Sequence, residues 1–222
     1  MTLSTPYALQ ILNQLAALLL LTTFAMLSQR RIVSLIHLFT LHGAILVATA
    51  LVMAYVSGEV HLYYSAALTF ALKVLLIPWI LHKLIARLKI KSDIDALINI
   101  PSTMLIGIVL VIIAFNLALP IAQLSESIAR GALGIALACI LLSFMMMIAR
   151  SKAVPQVIGF LAMENGLFFA ATAATSGMPM IVELGIALDI LIGLLILGVF
   201  MFQIREQFDN LDIHNLESLK ED

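Results

Sequence analysis

Runs of about 20 apolar residues dominate this chain, and each is long enough to cross roughly 30 Å of hydrocarbon as a helix rising about 1.5 Å per residue. They cover residues 7–27, 33–56, 62–84, 100–119, 128–148, 154–175 and 181–204. A soluble domain is about half apolar and one-quarter charged, whereas these 222 residues are 63% hydrophobic and 11% charged, with a mean hydropathy of +1.12. The expected fold is therefore an all-α integral membrane protein with about seven transmembrane helices. No stretch remains for a soluble catalytic domain. The first run has no basic residue before it and no convincing cleavage site after it, so it reads as a retained helix.

Lysine and arginine decide orientation, because basic loops stay on the cytoplasmic side. If seven helices alternate, Arg30, Arg31, Lys83, Arg87, Lys89, Lys91, Arg150, Lys152, Arg205 and Lys220 share one side. Arg130 falls on the other, and Lys73 lies inside a helix. The N-terminus is expected outside and the C-terminus in the cytoplasm of a prokaryotic cell, with the chain in the inner membrane. Tyr7, Tyr55, Tyr63 and Tyr64 then mark the outer ends of helices, as an interfacial belt would.

The lone Cys139 lies in an apolar run and reads as a packing residue. The sequence contains no Cys-x-x-Cys, no His-Glu-x-x-His and no glycine-rich phosphate loop. No cofactor or metal is expected on this chain, and no nucleic-acid partner. Any redox centre must belong to another subunit.

Two stretches read as copies of one three-helix unit, or as the chance likeness of apolar helices. Gln29-Arg30-Arg31 followed by 36–43 parallels Ala149-Arg150-Ser151-Lys152 followed by 158–166, and Ala71-Leu72-Lys73-Val74-Leu75 parallels Ala187-Leu188-Asp189-Ile190-Leu191. Two three-helix units share one orientation only if another helix separates them, which makes these repeats parallel rather than inverted. The expected organisation is a first unit at 1–91, a linker and connector helix at 92–126, and a second unit with a short tail at 127–222. Pro120 is expected to bound the connector helix.

Ionisable groups inside a span cost several kcal/mol unless they face a cavity or a partner, so each is a functional candidate. Lys73, Glu164, Glu183 and Asp189 stand out. Glu164 lies about 15 Å into its helix, and Asp189 and Lys73 reach similar depth. At that depth desolvation and a nearby cation compete to set proton affinity. Two carboxylates and a lysine at one level point to a proton relay; singly, each reads as a structural contact between helices. Glu183, near the outer mouth, could equally snorkel to water. His37 and His42 could join such a path, since imidazole exchanges protons near neutral pH, and His42 is kept as a candidate. Pro78 leaves the carbonyl of Val74 without its helical donor beside Lys73, which suggests a hinge or water pocket, or plain packing.

Several motifs carry a resemblance: Gln156-Val157-Ile158-Gly159, Met163-Glu164-Asn165-Gly166, 183–189, Lys73-Val74-Leu75-Leu76-Ile77-Pro78, and the tail 210–216. Through them the chain resembles the component E family of hydrogenase-4 (formate hydrogenlyase) complexes over most of its length. Its last three helices are similar to the K subunit of complex I and the C subunit of multi-subunit sodium/proton antiporters. The resemblance implies a non-catalytic subunit of a group 4 membrane-bound nickel–iron hydrogenase. Its partners would be antiporter-like membrane subunits and metal-containing hydrogenase subunits, and its role a lateral proton path. In the K-type family two buried glutamates on adjacent helices carry that path. Asp189 matches the second; the first matches Leu161, one turn before Glu164 and on roughly the same face. A cation/proton antiporter subunit without a redox partner and a purely structural scaffold are the alternatives.

Overall fold

The computed structural model describes residues 5–88, 97–124 and 129–175, and every regular element there is helical. In chain order these are α1 (Thr5–Leu27), α2 (Ile32–Ser57), α3 (Val60–Thr69), a π-helical stretch (Phe70–Leu76), α4 (Ile77–Leu88), α5 (Ile100–Leu124), α6 (Ala129–Ala149) and α7 (Ala153–Thr175). With α3, the π-helical stretch and α4 forming one continuous rod, six helices among the described residues are long and apolar enough to cross a membrane. The expected run at 181–204, with Glu183 and Asp189, lies outside the described residues.

Two local departures from the sequence reading fall at prolines, each without an N–H. At Pro78 the strain is absorbed upstream: the backbone widens over Phe70–Leu76, and the Ile77 N–H donates to the Leu72 carbonyl five residues back. Pro120 does not end α5, which continues to Leu124. Its missing donor falls in the last turns of the helix, near where water can replace it. The α2–α3 hairpin closes on Gly58, whose φ of 71° is left-handed and whose N–H reaches Ala54 O at 2.9 Å.

Short connections force α1 against α2 and α6 against α7, and the two hairpins then pack together. α1 lies on α6, and α2 lies on both α7 and the π-helical rod. Each of these pairs across the two hairpins runs parallel. Near one end Arg150, closing α6, donates to Leu27 O at 2.6 Å, where a cation suits the exposed carbonyls of a helix C-terminus. At that end Met26, Ile36, Phe39, Leu142, Ile158 and Leu161 form the largest core cluster. Ala16, Leu19, Leu46, Ala136 and Phe169 form another toward the opposite end. The alternation of helix directions gathers Arg30, Arg31, Lys83, Arg87, Arg150 and Lys152 at the first end. Tyr7, Tyr55, Tyr63 and Tyr64 gather at the second, and all four are exposed.

α5 docks through small residues. Ala114 and Ala118 are buried, and a Cβ on Gly107 would stand 3.1 Å from Leu142 and 3.2 Å from Leu27. Its other faces expose Leu105, Ile108, Val109, Ile112 and Leu119, the surface of a helix that meets lipid or another apolar chain.

The tightest seam is α6 against α7. A Cβ on Gly166 would lie 3.0 Å from Ile140 Cγ1 and 3.3 Å from the Ile140 backbone nitrogen, which cannot rotate away. Gly166→Val is therefore expected to destabilise the chain by about 1–3 kcal/mol through overpacking. Gly131→Ala, where nothing lies within 4 Å, should stay within about 0.5 kcal/mol of the parent. Unfolding of the two variants in detergent, followed by circular dichroism, checks the contrast.

Candidate functional site

The middle of the bundle contains a buried polar layer where α1, α2, α7 and the π-helical stretch meet. Lys73 is 1% exposed, Glu164 2%, and His42 and Asn165 are fully enclosed. The Lys73 ammonium donates to Glu164 Oε1 at 3.2 Å and to Asn165 Oδ1 at 2.7 Å. Adjacent residues on an α-helix point about 100° apart, so the two acceptors are reached by one long side chain lying between them. The pair joins the rod of residues 60–88 to α7 across 91 residues of sequence.

Local backbone geometry delivers Lys73 to this place. A Cβ on Gly43 of α2 would stand 3.4 Å from Lys73 Cβ and 3.6 Å from Lys73 O, so glycine lets α2 close onto the π-helical stretch. π-Helical turns are rare and frequently occur at functional sites; here one contains the lysine.

The neighbouring residue, His42, is held from the other side. Thr22 Oγ1 lies 2.9 Å from His42 Nδ1, 2.8 Å from Leu19 O and 3.0 Å from Leu18 O. A carbonyl can only accept, so the hydroxyl proton goes to the backbone of α1 and Thr22 accepts from Nδ1–H. This pattern favours the tautomer in which His42 Nε2 carries the lone pair. Among the described residues neither His42 Nε2 nor Asn165 Nδ2 has a hydrogen-bond partner. The layer thus presents a fixed charge pair flanked by one buried acceptor and one buried donor.

Of the candidates named from sequence, Lys73 and Glu164 come together directly, and His42 stands beside them through Gly43. Asp189 and Glu183 lie outside the described residues. His37 turns away, its ring 5.3 Å from that of His82 at the basic end. The roles of Asn165 and Thr22 were missed. The signal for Asn165 was its position next to Glu164 in an apolar run, where a carboxamide also needs a partner. For Thr22 there was little signal, because threonines in helices commonly bond their own preceding turn. Among the described residues, no group of three or more His, Cys, Asp or Glu could hold a metal.

Comparison with known proteins adds a direction. The chain is 29% identical over 204 residues to an uncharacterised protein of Mycobacterium tuberculosis, covering 91% of this chain and 93% of that protein. It is 24% identical over 210 residues to hydrogenase-4 component E of Escherichia coli K12, covering 95% of this chain and 97% of the relative. The Shigella flexneri component E matches to the same extent. The chain is a distant homologue of hydrogenase-4 component E. No protein-family model and no solved structure matches it. The coverage is nearly end to end in both directions, so the polar layer falls within the shared region.

Proposed function

We propose that this chain is a non-catalytic membrane subunit of a group 4 nickel–iron hydrogenase complex of the formate hydrogenlyase type, where its buried charges form part of a proton path. The observation that carries the reading is the Lys73–Glu164–Asn165 cluster, a charge pair at the middle of a bundle whose whole length resembles a hydrogenase-4 component. A scaffold could be built without it, because apolar packing holds helices together at lower cost than a desolvated ion pair. Glu164 and Asp189 would be the proton-exchanging groups, Lys73 the cation that tunes them, and His42 a third carrier. Glu183 would serve the outer mouth. The similarity of the last three helices to the K subunit of complex I belongs to the same proposal, as does the duplicated organisation. The parallel pairing of α1 with α6 and of α2 with α7 supports the duplication. The chain itself would bind no cofactor and would sit in the cytoplasmic membrane with its basic end inward.

Purification of the tagged full chain from its native membrane in a mild detergent tests the assignment. Metal-containing hydrogenase subunits and antiporter-like subunits are expected to accompany it. Recovery with antiporter-like proteins alone would select an antiporter complex instead, and recovery as an isolated chain would remove the hydrogenase reading.

A further inference from the structure

Two turns from the polar layer, toward the tyrosine end, a partly open cavity lies between α1, α2, α6 and α7. It is roomy enough for a water molecule, and Asn13, Thr49 and Thr172 line it beside Ala132 and Phe169. Both threonine hydroxyls give their protons to their own helices, Thr49 to Ile45 O at 2.9 Å and Thr172 to Phe168 O at 2.5 Å. Their oxygens therefore remain as acceptors toward the cavity. Asn13 is exposed at its edge, as are Gln10 and Gln14, and the three occupy one face of α1 facing the tyrosine end. An exposed carboxamide row in a membrane helix needs water or a polar partner.

The same helix faces lead inward. Two turns below Thr49 on α2 is His42, and two turns below Thr172 on α7 is Asn165, about 10 Å in each case. Each of these two residues carries a buried polar atom without a hydrogen-bond partner among the described residues, His42 Nε2 and Asn165 Nδ2. In that tautomer His42 Nε2 accepts, while Asn165 Nδ2 donates, and water can partner both because it does either. Between cavity and layer stand Leu19, Leu46 and Phe169, all buried in one apolar cluster. An apolar constriction of this kind closes a pore by excluding water rather than by filling it.

We propose that the α1/α2/α6/α7 interface is a water-access half-channel running from the tyrosine end to the Lys73–Glu164 layer, gated by Phe169. It gives the layer contact with one side of the membrane, so that protons reach it across the bilayer as well as from a neighbouring subunit. Its use by protons rests on the function proposed above; its existence does not.

Silver ion, comparable in size to water, probes the channel in sealed vesicles of either orientation carrying the full chain. Single-cysteine variants are made in a Cys139→Ala background, and protection from later alkylation reports silver binding. Thr49→Cys and Thr172→Cys are expected to react about tenfold faster from the tyrosine side than a lipid-facing Ile112→Cys control. His42→Cys should react slowly, and about tenfold faster once Phe169→Ala is added. Phe169→Leu, which keeps an apolar side chain of smaller girth, should give an intermediate rate and serves if the alanine variant does not fold. Equal rates for the threonine positions and the control, or a His42→Cys rate indifferent to both Phe169 variants, would overturn the channel. Neither readout depends on hydrogenase partners, so a failure here is separable from a failure of the proposed function.

Discussion

Lys73→Met is expected to destabilise the chain by about 3–5 kcal/mol, more than most single changes in the membrane interior, because it leaves Glu164 as a buried charge without its cation. A hydrogen bond between membrane helices averages only about 0.6 kcal/mol. If Lys73, Glu164 and Asn165 were no more than a hydrogen-bonded contact, the loss would be near the lower figure. The two readings also differ in how they combine. Lys73→Met with Glu164→Met removes both charges and restores apolar packing, and should recover most of the loss, since a buried pair replaced whole is often neutral or better. Unfolding of the parent, both single variants and the double variant in detergent gives the coupling directly. Losses that simply add would show that the two side chains do not act as a pair.

The sequence constrained depth far better than direction. Runs of about 20 apolar residues have one cheap solution in a bilayer, so expected ends such as 7–27 and 154–175 fall close to Thr5–Leu27 and Ala153–Thr175. Lys73 and Glu164 could likewise be set at one level by counting residues. Whether they touch depends on which way each helix is rotated, and these helices are apolar nearly all round, leaving no polar stripe to orient them. The π-helical stretch is a second example. Pro78 announces a missing donor, but whether the chain kinks, frees a carbonyl or widens is decided by what packs against it. Here Gly43 of α2 closes on Lys73 and Val74. Pro120 misled for the opposite reason: so near a helix end, the missing bond costs too little to stop the helix.

Glu164→Gln and Asp189→Asn are expected to leave assembly intact and to reduce proton movement by the complex on the order of 10²-fold, the scale of a lost proton-transferring side chain. A carboxamide keeps nearly the size of the carboxyl and still accepts a hydrogen bond from Lys73, but it cannot take up and release a proton. At position 164 the replacement keeps an oxygen acceptor for Lys73 and leaves the contact to Asn165 in place, but it removes the counter-charge of the ammonium. Some loss of stability is therefore expected beside the loss of the relay, and subunit content is read to separate the two. Asn165→Ala supplies the complementary case. It removes an acceptor of Lys73 without removing a titratable group, so it should cost stability and spare most of the proton movement. The measurement is proton uptake or release by vesicles holding the assembled complex, read beside redox turnover and subunit content. In Glu164→Gln, turnover should persist or slow while protons per turnover fall. If the Glu164→Gln and Asp189→Asn double variant assembled and moved protons at the parental rate, these two groups would not serve as a relay. The cluster would then be a helix clasp, with the histidine and its tautomer left as the only proton-exchanging candidate among the described residues of the layer.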